Sequence, residues 1–374
     1  HRAAPMPQNS VCKASHHCGI RNLVEMFTAT AWEVTSMNSQ TVQNDMPVIE
    51  VNNVRRYYVQ KKVIKKDGQK SKKQLIKAVD GVSFSLKKGE ILGVIGESGC
   101  GKSTLGRLLI ALEPPTDGEI LLNGRNQQEM VRENNLAFRR QCQIIFQNPY
   151  DTFDPRYRIE NVFQTTMKLH KIGNTVEERH QRAVEILEKG GLRPGADYLN
   201  RFPHELSGGQ LQRIAILNSM ILNPIFVVCD EPISMLDVSI RAEILNMISG
   251  LKHDFDTSMV FISHDIITTR YISDRIAVMY LGKIVETGET DEVLYHPKHP
   301  YTKVLISNCG SIDKFDQSGR IVIRGEPPTP INTGPGCYFA PRCPYAEERC
   351  FAQYPEETDL GNGHMAACHL IHQM

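Results

Sequence analysis

Residues Gly96 to Thr104 read Gly-Glu-Ser-Gly-Cys-Gly-Lys-Ser-Thr and match the pattern G-x-x-x-x-G-K-[ST]. The glycines of such a loop let successive backbone N–H groups wrap a polyphosphate, while the lysine and a hydroxyl reach the terminal phosphates and Mg²⁺. Gly96, Ser98, Gly99, Cys100, Gly101, Lys102, Ser103 and Thr104 are therefore candidate phosphate-binding residues. A second stretch, Phe226-Val-Val-Cys-Asp230-Glu231, is an apolar run closing on two carboxylates. Asp230 suits Mg²⁺, directly or through water, and Glu231 beside it suits a general base that polarises an attacking water. A third, Leu206-Ser-Gly-Gly-Gln210, precedes a long helical stretch through Leu222 and would open a helix N-terminus to a phosphate. Two phosphate cradles around one nucleotide imply that Ser207, Gly208, Gly209 and Gln210 serve a nucleotide held by a neighbouring chain.

These side chains need a scaffold, and the flanking sequence describes one. Ile91 to Ile95 is an unbroken apolar run, as expected of a strand buried on both faces of a parallel sheet. After the loop, Leu105, Leu108, Leu109 and Leu112 recur at helical spacing, so strand, loop and helix follow in the order that points a positive dipole end at an anion. Phe226–Cys229, Met259–Ile262 and Ile276–Met279 read as further short strands, and Ile144-Ile145-Phe146 as another, ending at Gln147. Between Asn148 and Glu205 the texture turns helical: Val162, Met167 and Leu169, then Ala183, Val184, Ile186 and Leu187, with capping-box spacing at Thr175 and Glu178. This predicts a helical insertion between segments of a parallel sheet.

Upstream, Val48 to Tyr58 and Ala78 to Leu86 have strand character, and Glu119–Leu122 with Asn123-Gly124 reads as a strand and turn. Lys61 to Lys77 is lysine-rich around Asp67-Gly68, a solvated β-ribbon by its turn signal, with a lipid or nucleic-acid patch as the alternative. Residues 1–45 lack periodicity and are expected to be a disordered or upstream extension. Cys12, His16, His17 and Cys18 within them have no packed scaffold to hold ligand geometry.

The 374 residues, 23% charged and 41% hydrophobic, can bury a sizeable core, and the net charge of +1 supplies no global field for nucleic acid or anionic lipid. No run approaches the roughly 18 apolar residues needed to span a bilayer. The ten cysteines are scattered, with no recognisable signal peptide, so a reducing cytosolic compartment is expected. Past His296-Pro-Lys-His-Pro300-Tyr-Thr302 the chain becomes rich in proline, glycine and cysteine. Cys337, Cys343, Cys350 and Cys368, spaced C-x5-C-x6-C-x17-C, form either a soft-metal cage or four free thiols in a proline-rich cap.

The ordered set of motifs from Tyr58 to His264 resembles an ATP-binding cassette (ABC) ATPase. The resemblance implies an α/β P-loop NTPase cassette, with a RecA-like core, an antiparallel β-subdomain and a helical subdomain, plus a cysteine-rich C-terminal extension. It implies a nucleotide-binding domain over 46–296, with the helical subdomain at about 148–222, and an extension over 297–374. By position, Tyr58 resembles the aromatic that stacks on adenine, with Tyr57 as rival, and Gln147 the glutamine that contacts Mg²⁺ and water. Leu206–Gln210 resembles the signature motif, Ser234 to Asp237 the D-loop, and His264 the switch histidine at the γ-phosphate. Leu211, Leu217, Asn218 and Met235 depart from the usual pattern without removing a catalytic group. The tail resembles the extension of dipeptide and oligopeptide importer ATPases, which implies a [4Fe-4S] cluster on its four cysteines. It also implies a sandwich dimer, integral-membrane permease subunits, an extracytoplasmic peptide-binding protein, and a peripheral place on the cytoplasmic face of the inner membrane. A soluble ABC ATPase acting on nucleic acid or ribosomes, and an importer of nickel or glutathione, are the alternatives.

Overall fold

The structure is a computed structural model that describes residues 46–60, 74–309 and most of 321–371. Residues 61–73, which hold most of the lysine-rich stretch expected to form a ribbon, and residues 1–45, with the N-terminal Cys/His group, lie outside the described residues.

The chain opens with β1 (Ile49–Gln60), β2 (Gln74–Leu86) and β3 (Ile91–Ile95), followed by α1 (Lys102–Leu109). Next come β4 (Asp117–Leu122), β5 (Arg125–Asn126), α2 (Gln127–Gln141) and β6 (Cys142–Ile145). Four helices follow: α3 (Ile159–Leu169), α4 (Val176–Lys189), α5 (Gly195–Leu199) and α6 (Gly208–Met220). The sheet resumes with β7 (Phe226–Asp230), α7 (Val238–Phe255), β8 (Ser258–Ser263), α8 (Ile266–Ile272), β9 (Arg275–Tyr280) and β10 (Lys283–Glu289). Helix α9 (Thr290–Tyr295) follows β10, and the extension contributes α10 (Pro300–Asn308), α11 (Glu348–Ala352), β11 (Thr358–Asp359) and β12 (Met365–Ala366).

The larger sheet has the order β11-β12-β10-β9-β3-β8-β7-β6, and its strands β9, β3, β8, β7 and β6 are parallel. Every residue of β3 and β8 is buried, which explains why these segments lack polar alternation. A four-stranded antiparallel sheet, β2-β1-β4-β5, supplies the second layer, and the register Gln60↔Gln74 carries its β1-β2 pair to the edge of the described ribbon. Helix α1 fits between the layers because Gly106 has no side chain: a Cβ there would stand 2.9 Å from Ile262 Cδ1 and 3.1 Å from Val228 Cγ1.

Three sequence expectations are corrected. Leu112 lies beyond α1, which ends at Leu109, and is exposed. Phe146 falls outside β6 and is also exposed. At α4, Thr175 accepts from the Glu178 N–H, but the Glu178 carboxylate takes the Asn174 N–H, so the box closes one residue early. Helix α2 was not foreseen. It buries only Gln127 and Phe138 and kinks at Asn134, so it presents almost no apolar period to read.

The extension is sewn into the core. Strand β12 pairs antiparallel with β10. Tyr301, Val304, Ile306 and Phe339 share one apolar cluster with Ile95, Val278 and Val285. At the seam the buried Glu286 accepts the Lys298 and His299 N–H groups and meets His364 Nε2 at 2.8 Å.

Candidate active site

Parallel strands end on one edge, and the strand order decides what meets there. The phosphate loop follows β3, His264 follows β8, Asp230 and Glu231 close β7, and Gln147 follows β6. Because these strands are successive neighbours in the sheet, residues far apart in sequence become adjacent.

The loop holds a conformation that its glycines make possible. Gly101 has φ +110°, and a Cβ on it would sit 2.0 Å from the Ala78 carbonyl oxygen. Gly99, at φ +78°, faces open space. Ser98, Gly99 and Ser103 are exposed, while Cys100 and Lys102 are buried. Lys102 Nζ donates to the carbonyls of Gly96 at 2.7 Å and Glu97 at 3.0 Å, which holds its charge at the loop. Thr104 is half-buried, the third residue of α1.

The carboxylates take up different tasks. Ser103 Oγ donates to Asp230 Oδ1 at 3.0 Å, so the two oxygens expected at Mg²⁺ are already together. Burial pushes the Asp230 carboxyl above the usual range, opposed by the Ser103 bond. Such a group gains from a cation, and the oxygen donor set of Ser103, Asp230 and Gln147 fits the hard-ligand preference of Mg²⁺. Glu231 stands in the left-handed region, at φ +49°, with its N–H bound to the Ile262 carbonyl at 3.0 Å. That turn swings the side chain out to receive Gln147 Nε2 at 3.2 Å and His264 Nδ1 at 3.3 Å, both on Oε2.

The remaining candidates lie apart from this cluster. Ser207 and Gln210 form a reciprocal capping box at α6: Ser207 Oγ accepts the Gln210 N–H, and Gln210 Oε1 accepts the Ser207 N–H. A Cβ on Gly208 would meet only Leu236 Cδ2 at 3.9 Å and Tyr150 Oη at 4.0 Å, whereas one on Gly209 would stand 2.6 Å from Ile240 Cγ2. Leu211 and Leu217, which depart from the usual pattern, are fully buried, so that face of α6 is core. Gln212 ties α6 to the Phe146 carbonyl, one residue before Gln147. Asp237 stands at the N-cap of α7 without a side-chain capping bond, and Met235 beside it is exposed.

Tyr57 and Tyr58 are consecutive on β1 and so face opposite ways. The Tyr57 hydroxyl bonds Asp80, while Tyr58 bonds Glu113 at 2.5 Å and carries the Arg56 guanidinium over its ring.

The four tail cysteines line one small, tightly packed pocket, together with His299, Phe339 and His369. Burial raises the thiols of Cys343 and Cys368 and pushes Cys337 up to about 11. Among the described residues, no set of three or more Cys, His, Asp or Glu side chains stands at the spacing of ligands to a single ion.

Sequence reasoning missed a contact between the extension and the phosphate loop. Arg342 forks onto the Glu97 carboxylate, and Tyr301 accepts the Glu97 N–H. Arg342 is 245 residues from Glu97, so no local pattern could announce the pair.

Comparison with known proteins agrees with this arrangement. The family profile described as "ABC transporter" matches residues 79–234, and "Oligopeptide/dipeptide transporter, C-terminal region" matches 285–350. The chain is 42% identical over 328 residues to the dipeptide transport ATP-binding protein DppF of Haemophilus influenzae, covering 87% of this chain and 98% of that one. It is 41% identical over 337 residues to the oligopeptide transport ATP-binding protein AppF of Bacillus subtilis, covering 88% and 99%. Among solved structures, a dimeric ATP-binding cassette in a post-hydrolysis state with ADP and Pi aligns with a TM-score of 0.55 and 26% identity, over 65% of this chain and 98% of that one. A cassette from Clostridium perfringens, part of the cbiONQ transporter complex, shares the fold with a TM-score of 0.56 at 23% identity, over 68% and 92%. With its phosphate loop, paired carboxylates and sewn-in extension, the chain belongs to the family of ABC transporter ATP-binding proteins.

Proposed function

We propose that this chain hydrolyses ATP to power import of dipeptides or oligopeptides through separate membrane subunits. The observation that carries the reading is the strand-edge cluster in which Ser103 meets Asp230 while Gln147 and His264 converge on Glu231. The peptide cargo is supported by the C-terminal region and by the names of the relatives.

In this reading the loop N–H groups and Lys102 hold the β- and γ-phosphates. Ser103, Asp230 and Gln147 are the residues that would hold Mg²⁺, which would supply neutralisation of the phosphate charge. Gln147 and His264 orient Glu231, which takes a proton from the water as its oxygen bonds to the γ-phosphorus and the bond to ADP breaks. His264 then faces the γ-phosphate. Tyr58 stacks on the adenine. A second ATPase chain, a copy of this one or a similar subunit, presents Ser207, Gly208, Gly209 and Gln210 to the same nucleotide, with Asp237 at the dimer contact. Closure then needs ATP, and hydrolysis reopens the pair. In the same reading the chain works peripherally, from the cytoplasmic face, on permease subunits, as the names of its relatives as transport ATP-binding proteins support; among the described residues no helix is long and apolar enough to cross a membrane.

The cysteine pocket belongs to the same reading, as the holder of a [4Fe-4S] cluster. Four cysteine thiols are the ligand set such a cluster takes. A cluster also holds its thiolates further apart than one ion does, which suits four cysteines around a pocket rather than around a point. Anaerobically purified protein should be brown, with iron and sulfide in equal amounts; stoichiometric zinc without iron would overturn this part.

The transport reading is tested by purifying the chain from native membranes. Integral-membrane subunits should accompany it, and in vesicles those subunits with their binding protein should show peptide-stimulated ATPase activity. Stimulation by nickel or glutathione instead of peptides overturns the cargo, and co-purification with ribosomes overturns the transport role.

A further inference from the structure

The phosphate loop is gripped from two sides by the C-terminal extension, and both grips close on Glu97. Arg342 ends a short 3-10 turn, Ala340–Arg342. Its Nη1 donates to Glu97 Oε2 at 2.7 Å and its Nη2 to Oε1 at 2.9 Å, a bidentate fork. Both side chains are largely withdrawn from water, at 7% exposed for Arg342 and 22% for Glu97. Among the described residues the other Arg342 contacts are longer, to Tyr280 Oη at 3.2 Å and the Gly325 carbonyl at 3.4 Å, and its buried Nε has no partner there. The carboxylate is thus the main anchor of the guanidinium.

From the other side, Tyr301 Oη accepts the Glu97 N–H at 2.9 Å. Tyr301 is fully buried, with ring centroids 4.6 Å from Tyr280 and 5.4 Å from Phe339, so its hydroxyl is a fixed point.

A loop that binds polyphosphate through N–H groups and a lysine is opposed by a carboxylate at its second residue. Left unpaired, Glu97 would repel the phosphates and compete for Lys102, whose Nζ already rests on the Glu97 carbonyl at 3.0 Å. Pairing with a guanidinium cancels that charge, and the fork holds the carboxylate in one place. The Tyr301 bond commits the Glu97 N–H away from the phosphates and fixes that peptide's orientation, leaving the exposed part of the loop, Ser98 and Gly99, to face the ligand.

We propose that Arg342 and Tyr301 are positioning residues for nucleotide binding: by neutralising and orienting Glu97, the C-terminal extension sets the affinity of this chain for ATP. The inference rests on the nucleotide reading of the loop.

The test is titration of the purified full-length chain with a fluorescent ATP analogue, with thermal unfolding followed in parallel. Arg342→Gln should weaken binding by about tenfold, the size expected for a largely buried charge-assisted pair. The double variant Glu97→Gln/Arg342→Gln should recover to within about threefold of wild type, because it removes the unpaired carboxylate with its partner. Arg342→Lys, which keeps the charge and loses the fork, should fall between. Tyr301→Phe, which keeps the ring and loses the acceptor, should weaken binding several-fold. If Arg342→Gln does not fold, Arg342→Lys and the double variant carry the comparison. Unchanged affinity in a folded Arg342→Gln, or a double variant no better than the single, overturns the inference while the loop reading stands. No binding by wild type, or none lost in Lys102→Ala, overturns the loop reading and the inference with it.

Discussion

Replacing Glu231 by glutamine isolates the chemical step. The side chains are isosteric, and glutamine meets the same φ of +49° that glutamate does, so backbone strain is unchanged. The amide oxygen can still accept from Gln147 Nε2, which stands 3.2 Å away, so the local frame survives. What disappears is the group that accepts the proton from water. A positioned general base contributes about 10²–10⁴ in rate, which is roughly 3–5 kcal/mol of barrier. In the proposed function the nucleotide is held on another loop, through Lys102 and the N–H groups, so KM should move by less than about threefold. The assay is steady-state phosphate release against ATP concentration, with size-exclusion chromatography in ATP. The expected outcome is kcat lowered at least about 100-fold with binding intact, and an ATP-dependent dimer that accumulates because it no longer hydrolyses. A kcat within about tenfold of wild type would falsify the assignment of Glu231 as base. Loss of ATP binding would show instead that Glu231 serves the loop's structure.

Gly101→Ala should abolish fluorescent-nucleotide binding and lower stability by more than about 2 kcal/mol in urea unfolding, since the new Cβ would stand 2.0 Å from the Ala78 carbonyl oxygen with φ at +110°. Gly250→Ala, within α7 and with nothing inside 4 Å of the added carbon, should raise stability by about 1 kcal/mol and leave ATPase activity unchanged. His299 is wholly buried, and burial lowers its pKa from 6.5 to about 4. The unfolded chain therefore binds the extra proton first, and stability should fall as pH drops from about 6.5 towards 4, by up to roughly 3 kcal/mol. His299→Asn, which can still cap α10 through its side-chain oxygen, should flatten that slope in urea unfolding followed across pH; an unchanged slope places the proton uptake elsewhere.

The parts of the molecule that were readable from sequence are those whose cause is local. Ile91 to Ile95 reads as a buried strand because both faces are covered, and the loop after it is marked by its glycines because Gly96 and Gly101 leave no room for a Cβ. Gln147, Asp230, Glu231 and His264 could be placed because each directly follows or closes a strand, and parallel strands deliver their ends to one edge. Helix α2 escaped because its stability owes little to an apolar face, with only Gln127 and Phe138 buried along 15 residues. The capping box was expected at Thr175 and closed fully at Ser207 instead, although Ser207 and Gln210 have the same spacing; glycines at the start of α6 draw the eye to phosphate binding and away from the cap.

The tail was recognisable by resemblance, and the matching C-terminal region bears that out, but its packing onto the core was illegible for a different reason. Its composition marks a change at Pro297, yet β12 completes the sheet on β10, and Tyr301 and Phe339 fill the same cluster as Ile95, the last residue before the loop. Aromatic contacts of this kind add about 0.5–1.5 kcal/mol each beyond burial, so the extension and the loop's supporting strand stabilise one another. Such pairing spans hundreds of residues, and neither periodicity nor motif spacing carries it. The consequence is mechanical. A segment bonded to Glu97 through both its N–H and its carboxylate cannot move without moving the loop. The cysteine pocket is lined by Ala340 and Cys343, on either side of Arg342, so whatever occupies that pocket acts on a turn already fastened to the glycine loop.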